Sequence, residues 1–152
     1  MATVLFVCLQ NAGRSQMSAA LFEQAAHGRH HALSAGSIAD PAGHVHPEVV
    51  AVMREVGIDL SDRRPQQIST KIAETADVVV TMGCGDTCPY IPGKRYIDWD
   101  LQDPKGRPID DVRAIRDEVA QRVAELIDEL DQAVGDGRGV PLHGMSIGES
   151  AG

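Results

Sequence analysis

Residues 3–17 read TVLFVCLQNAGRSQM and carry the clearest structural signal in the chain. Thr3 to Val7 is a short apolar run rich in β-branched residues, which is typical of a buried strand. Gly13 ends the loop that follows, and apolar residues recur at helical spacing from Ser15 to Ala26. This stretch therefore predicts a strand, a tight loop and a helix in direct succession.

The rest of the chain continues the same alternation. Three further strands are predicted, at His31 to Ala35, Asp77 to Met82 and Arg95 to Trp99. Three further helices are predicted, at Val49 to Val56 before Gly57, at Ser69 to Thr75, and from Asp110 to an end by Gly135. Alternating strands and helices predict a three-layer α/β fold with a central four-stranded parallel sheet flanked by helices.

The 152 residues suit one domain, which we place at residues 1–134. The last stretch, residues 135–152, is Gly-rich and has no periodicity, so we expect a flexible C-terminal tail. The formal net charge of −8 argues against nucleic acid or an anionic membrane as the main partner. No apolar stretch has the length of a signal peptide or membrane span. Three cysteines fit a disulfide scaffold poorly, so we expect a reducing, cytoplasmic location.

Cys8 lies between the first strand and the first helix, in a segment that is predicted to bind an oxyanion. Backbone amides at a helix N-terminus favour negative charge, and Arg14 offers a planar fork that matches a tetrahedral oxyanion. The same field favours a reactive Cys8 thiolate, to which Ser15 could donate a hydrogen bond. The predicted oxyanion-binding residues are Leu9, Gln10, Asn11, Ala12, Gly13, Arg14 and Ser15. The alternative is a buried structural cysteine.

Cys84 and Cys88 follow the third predicted strand. In a parallel sheet the carboxyl ends of the strands meet at one edge, so Cys8 and Cys84 are expected at the same edge. Gly83 and Gly85 flank Cys84, and two cysteines in such a loop can form a redox disulfide by thiol exchange. Two alternatives remain: a zinc site, for which the spacing is atypical, and chance placement in a loop.

Three motifs together resemble the low-molecular-weight tyrosine phosphatase superfamily, and within it the thioredoxin-coupled arsenate reductases. These motifs are Cys8 to Ser15 with Gln16 and Met17 after it, residues 80–86, and Trp99 to Pro104. The resemblance covers about residues 3–133. It implies a phosphatase-like fold, arsenate as substrate with phosphate or sulfate as mimics, and a role in arsenic detoxification.

The resemblance also implies a relay of three cysteines. Cys8 attacks arsenate, Cys84 attacks the Cys8 sulfur and releases arsenite, and Cys88 moves the disulfide to Cys84–Cys88. Thioredoxin then reduces that disulfide, and no bound cofactor is required. The better-known members have more residues between the second and third cysteines, so a small thiol such as mycothiol is the alternative reductant.

A further implied residue is Asp103, the general acid that faces the loop cysteine in such enzymes. From the sequence alone, Asp98 and Asp100 are rivals, and Asp103 could simply begin a turn. Family members often carry a potassium site, but the position of its acidic ligand is Ala19 here. We therefore predict no metal, and we also expect the His30-His31 and His44-x-His46 pairs to be unliganded.

Two other functions compete with arsenate reduction. A low-molecular-weight tyrosine phosphatase would need only Cys8, Arg14 and Asp103, although Lys105 and Gly106 stand where such phosphatases place aromatic residues. A non-catalytic module that binds an oxyanion or senses redox state would use Cys84 and Cys88 as a regulatory disulfide.

Overall fold

The structure is a computed structural model that describes residues 1–83, 90 and 92–135, with side chains up to residue 133. Two of the predicted redox residues, Cys84 and Cys88, lie outside the described residues. So does the predicted tail from residue 136 onward, and the assignment of residues 135–152 to a flexible tail remains a prediction.

The predicted alternation of strands and helices is confirmed, with small differences at the ends of the elements. The strands are β1 (Thr3–Cys8), β2 (His31–Gly36), β3 (Val78–Thr81) and β4 (Arg95–Asp98). The helices are α1 (Arg14–Ala26), α2 (Pro47–Arg54), α3 (Thr70–Glu74) and α4 (Ile109–Gly135). The first helix begins at Arg14, one residue before the predicted start, because Met17 already donates its backbone N–H to Gly13.

The four strands form one parallel sheet in the order β2-β1-β3-β4. In the register, Cys8 pairs with Gly36 on one side of β1, and Val7 pairs with Thr81 on the other. Beyond β3 the ladder continues for one more bond, from the Met82 N–H to the Val7 carbonyl. The end of β1 and the end of β3 are therefore neighbours at one edge of the sheet; the sequence predicted the shared edge but not the strand order.

Successive side chains of β1 point to opposite faces of the sheet, and both faces are covered. Phe6 belongs to the larger face, where its ring lies 5.7 Å from the rings of both Phe22 and Trp99. Helices α1 and α4 pack together over this face, and α2 packs against α4. Leu5 points to the other face and joins a smaller cluster beside α3. These are the three layers that the sequence predicted.

A buried histidine ties the start of the sheet to the end of α4. The Ala2 backbone N–H donates to His30 Nδ1 at 3.0 Å, so Nδ1 carries no proton in this arrangement. His30 Nε2 lies 2.8 Å from Asp131 Oδ1, and Arg29 donates to both oxygens of the same carboxylate. His30 is 1% exposed, so its ring packs as part of the core while both of its nitrogens are satisfied.

A charged network joins α2 to α4 at the surface. Glu55, directly after α2, accepts hydrogen bonds from Arg113 and Arg116 on α4. Arg116 also donates to the carbonyl of Val52 at 2.8 Å. The hydrogen bonds from Arg113 and then from Arg116 lower the pKa of Glu55 to about 2. Helix α2 is thereby held against α4.

Among the described helices, none has the length and apolar composition that crossing a membrane would demand.

Candidate functional site

The loop after β1 turns its backbone carbonyls outward. Four carbonyls accept hydrogen bonds from outside the loop or from the first turn of α1: those of Cys8, Leu9, Ala12 and Gly13. Asn11 adopts a positive φ of 55°, which lets the chain reverse within the loop. Because the carbonyls point away, the backbone N–H groups of residues 9–15 find no acceptor within the part of the chain that the structure describes. They are free to bind an anion, as predicted from the helix N-terminus.

Gly36 lets the loop cross the end of β2. A Cβ atom there would lie 2.6 Å from the Leu9 carbonyl oxygen and 2.8 Å from the Asn11 backbone nitrogen. Any larger residue would push the loop away from the sheet. The sequence marked Gly36 only as the end of a strand, because nothing local reveals a backbone segment that crosses above it.

Two polar side chains behind the loop, Asn11 and Ser15, bring a hydroxyl group to Cys8. The Gln66 backbone N–H donates to Asn11 Oδ1 at 2.8 Å, which fixes the direction of the Asn11 amide. Asn11 Nδ2 therefore donates to Ser15 Oγ at 2.7 Å. Ser15 Oγ lies 3.0 Å from Cys8 Sγ, and when Cys8 is a thiolate the Ser15 hydroxyl is the donor of this hydrogen bond. A hydrogen bond donated to sulfur stabilises the thiolate, the nucleophilic form.

Arg14 reaches the same space from the first turn of α1, and it is nearly buried. Its Nη1 lies 3.4 Å from the Leu101 carbonyl oxygen, and its Nη2 lies 3.7 Å from Asp103 Oδ2. Gly83 packs against the guanidinium, since a Cβ at Gly83 would lie 2.5 Å from Arg14 Nη1. The guanidinium is therefore held by the two segments that follow β3 and β4.

A cavity of about 130 Å³ opens above Cys8. Of the residues predicted from the sequence, Cys8, Leu9, Gln10, Ala12, Gly13, Arg14 and Asp103 line it. Asn11 and Ser15 are absent from the lining because their side chains form the hydrogen-bond chain behind Cys8. The loop thus divides into residues that face the cavity and residues that support the cysteine.

The three candidate acids occupy different places. Asp103 borders the cavity, its side chain is half exposed, and its backbone carbonyl accepts from Arg107. Asp98 accepts a hydrogen bond from Thr81 Oγ1 at 2.7 Å at the end of the sheet. Asp100 lines a separate surface groove beside α4. Of the three, Asp103 is the carboxylate that lies next to the cavity.

Two residues that sequence reasoning did not assign to the site, His46 and Lys105, also line the cavity. His46 directly precedes α2, and its backbone N–H donates to the Ala12 carbonyl at 2.8 Å. Lys105 follows the Asp103-Pro104 pair, and its backbone N–H donates to Asp103 Oδ1 at 3.0 Å. Both residues were noted in the sequence, but only the tertiary structure brings them to the loop.

No group of three or more His, Cys, Asp or Glu side chains in the described ranges could hold a metal ion. Ala19 and Ser34 border a second cavity of about 430 Å³ behind the loop. Arg63 and Arg64 line this cavity too, together with Glu23. Its charged lining is therefore mixed, with both cationic and anionic side chains.

The chain resembles known proteins along most of its length. The model of the family described as low molecular weight phosphotyrosine protein phosphatase matches residues 3–135. A putative arsenate reductase of Halobacterium salinarum is 46% identical over 131 residues, which covers 83% of this chain and 91% of that protein. A glutaredoxin arsenate reductase of Synechocystis is 35% identical over 133 residues, which covers 86% of this chain and 99% of that protein.

A solved structure shares the fold as well. The thioredoxin-dependent arsenate reductase of Corynebacterium glutamicum superposes with a TM-score of 0.72 at 37% sequence identity. The match covers 88% of this chain but only 63% of that longer chain.

Proposed function

The chain belongs to the low molecular weight phosphotyrosine protein phosphatase family, and from this membership we propose that it is an arsenate reductase whose nucleophile is Cys8. One observation carries the proposal: a buried cysteine, supported by Ser15, faces a small cavity that Arg14 and free backbone amides surround. This arrangement suits a tetrahedral oxyanion. The names of the relatives support arsenate as that oxyanion.

In the first step, the Cys8 thiolate attacks the arsenic of arsenate, and a sulfur–arsenic bond forms as an arsenic–oxygen bond breaks. Arg14 and the loop amides bind the oxygens and stabilise their negative charge. Asp103 gives a proton to the departing oxygen, which leaves as water. The position of Asp103 beside the cavity supports this role.

In the second step, the Cys84 thiolate attacks the Cys8 sulfur. The sulfur–arsenic bond breaks, its electron pair stays on arsenic, and As(V) leaves as arsenite, As(III). Cys88 then attacks Cys84, which restores the Cys8 thiolate and leaves a Cys84–Cys88 disulfide. The adjacency of the ends of β1 and β3 supports this relay, because Cys84 comes two residues after Met82.

An external dithiol or thiol must then reduce the Cys84–Cys88 disulfide. We propose thioredoxin, the donor named for the Corynebacterium glutamicum enzyme. The Synechocystis relative is named a glutaredoxin arsenate reductase, so glutaredoxin is a competing donor, and mycothiol is the small-molecule alternative.

Phosphate-ester hydrolysis is the second candidate, and the name of the family favours it. It would use Cys8, Arg14 and Asp103 without a second cysteine. Against it, no aromatic side chain lines the cavity among the described residues. Tyrosine phosphates need an apolar wall for the phenol ring, so we rank hydrolysis second.

A coupled assay tests the proposal. We expect the full chain with thioredoxin, thioredoxin reductase and arsenate to consume NADPH, and Cys84→Ser to abolish that consumption. Aryl phosphate hydrolysis that survives Cys84→Ser, without any arsenate-dependent turnover, would instead establish a phosphatase. The absence of both activities would point to a non-catalytic binding module.

Further variants test the individual roles. Repeated thioredoxin-dependent turnover by Cys88→Ser would contradict the three-cysteine relay. Asp103→Asn should slow turnover and remove one limb of its pH profile, and an unchanged profile would exclude Asp103 as the acid. Replacement of thioredoxin by glutaredoxin or mycothiol in the same assay identifies the donor.

A further inference from the structure

Two nitrogen-bearing side chains at the mouth of the 130 Å³ cavity have no bonding partner. Lys105 and His46 both line the cavity. Within residues 1–83, 90 and 92–133, neither side chain forms a hydrogen bond or an ion pair. Two other basic side chains differ, since Lys94 donates to the Glu74 carbonyl and Arg107 donates to the Asp103 carbonyl. The mouth therefore holds donor groups that the fold does not use.

The backbone holds Lys105 beside the cavity while its side chain stays exposed. Its N–H donates to Asp103 Oδ1 at 3.0 Å, and Arg107 Nε donates to the Asp103 carbonyl at 2.8 Å. Pro104, between them, packs against the loop, since a Cβ at Gly13 would lie 2.9 Å from its ring. The turn is thus fixed, and the ammonium group is free to reach a bound anion.

His46 packs against Gly13 as Pro104 does. Its backbone N–H holds the Ala12 carbonyl at 2.8 Å, and its ring lies close enough that a Cβ at Gly13 would be 3.3 Å from Cδ2. An imidazole carries at least one N–H donor in either protonation state. An ammonium group and an imidazole therefore both border the cavity.

The oxygen of a bound oxyanion that faces this mouth distinguishes two classes of ligand. The loop amides and Arg14 take the deeper oxygens, and attack by Cys8 from below leaves one oxygen pointing outward. In free arsenate or phosphate this oxygen can accept hydrogen bonds from Lys105 and His46. In an aryl phosphate ester this outward oxygen is bonded to the aromatic ring. The ring offers Lys105 no hydrogen-bond acceptor to replace the water that the ammonium group would lose.

We propose that Lys105, assisted by His46, is the specificity-determining residue that makes this site prefer unesterified inorganic oxyanions over phosphate esters. The inference rests on the proposed function, because it names the ligand class of the same oxyanion site. It concerns binding alone and assigns neither residue a part in the chemical steps.

Binding measured in a Cys8→Ala background tests this preference, because that variant lacks the nucleophile and leaves both ligands intact. The probes are inorganic phosphate and phenyl phosphate, titrated by calorimetry. We expect Lys105→Met to weaken phosphate binding about tenfold, the effect of one charge-assisted hydrogen bond, and to change phenyl phosphate binding by less than about twofold. His46→Ala should weaken phosphate binding in the same selective way.

Two control variants separate specificity from general effects. Lys105→Arg keeps a cationic donor and should keep the preference for phosphate. Lys71→Met removes the same charge from an exposed site on α3 and should change neither affinity. An equal loss for both ligands in Lys105→Met, or no loss for either, would overturn the inference.

The failure of this inference and the failure of the proposed reaction can be told apart. If the wild-type chain shows no arsenate-dependent NADPH consumption, the proposal that it is an arsenate reductase is wrong, but the measured preference for phosphate over phenyl phosphate still holds. Conversely, if the wild-type chain reduces arsenate but Lys105→Met changes phosphate and phenyl phosphate binding equally, only this inference is wrong.

Discussion

At the scale of single residues, the site depends on close contacts that leave no room for a larger side chain. Gly83 has a φ of +77°, and a Cβ there would come within 2.5 Å of Arg14 Nη1. Gly57, after α2, has a φ of +83° but open space around it. The two glycines therefore share a backbone conformation and differ in what a methyl group would meet.

This difference leads to a paired prediction. Both Gly83→Ala and Gly57→Ala should lower the free energy of unfolding by about 1 kcal/mol, the cost of the left-handed backbone for an L-residue. Only Gly83→Ala should also displace Arg14 and weaken phosphate binding, by about tenfold or more. Urea unfolding and phosphate titration measure the two effects. Equal phosphate affinity in the two variants would show that Gly83 does not position Arg14.

The hydroxyl of Ser15 supports a second prediction at this scale. In a Cys84→Ser/Cys88→Ser background, Cys8 is the sole cysteine of the chain. Ser15→Ala removes the donor 3.0 Å from Cys8 Sγ, so less thiolate should form and iodoacetamide alkylation near neutral pH should slow roughly fivefold.

Ser18→Ala is the matched control for this experiment. It removes a buried hydroxyl from the same helix, but that hydroxyl contacts the Arg14 carbonyl and the Met82 sulfur, not Cys8. A similar slowing in Ser18→Ala would mean that loss of packing in α1, rather than the bond to sulfur, controls the reactivity.

At the scale of elements, the surface network of Glu55 holds α2 against α4. Arg113 and Arg116 lower the pKa of Glu55 from 4.5 to about 2. The ionised carboxylate therefore stabilises the folded state at pH values above about 4.5. This stabilisation is present at neutral pH and is lost as the pH falls from about 4.5 toward 2.

Glu55→Gln should therefore lower the melting temperature at pH 7, and the difference from wild type should shrink below pH 4.5. Thermal unfolding followed by circular dichroism at several pH values measures this. Glu125→Gln, an exposed position on α4, is the control and should leave the melting temperature unchanged. A pH-independent difference for Glu55→Gln would show that packing, not charge, accounts for its effect.

At the scale of the whole molecule, the sheet, both core clusters and the oxyanion cavity are all built within residue 135. The long helix α4 closes the larger core through buried residues such as Leu130. Removal of the helix would expose that core.

A chain ended after Gly135 should consequently fold, melt within about 2 °C of the full chain and bind phosphate with the same affinity. Differential scanning calorimetry and phosphate titration on both proteins provide the comparison. A lower melting temperature or a weaker phosphate affinity would show that residues 136–152 belong to the domain, and the predicted boundary would be wrong.

The sequence by itself determined the order of the elements, the parallel sheet and the loop that carries Cys8 and Arg14. Each of these features can be predicted from neighbouring residues in the sequence. Strands and helices differ in the period at which apolar residues recur, and the loop is identified by the strand before it and the helix after it. The hydroxyl of Ser15 was also predictable, because it comes from the first turn of the same helix.

Only the tertiary structure decided which distant residues complete the site. The family resemblance had already implied Asp103, and the structure places that residue beside the cavity, whereas His46 and Lys105 arrive from turns that are remote in sequence. The requirement for glycine at Gly36 and Gly83 leaves no local sequence pattern either. A side chain is excluded at Gly36 by the loop backbone and at Gly83 by the Arg14 guanidinium, and both groups come from elsewhere in the chain. Periodicity describes neighbours along the chain, whereas a binding site is made of neighbours in space.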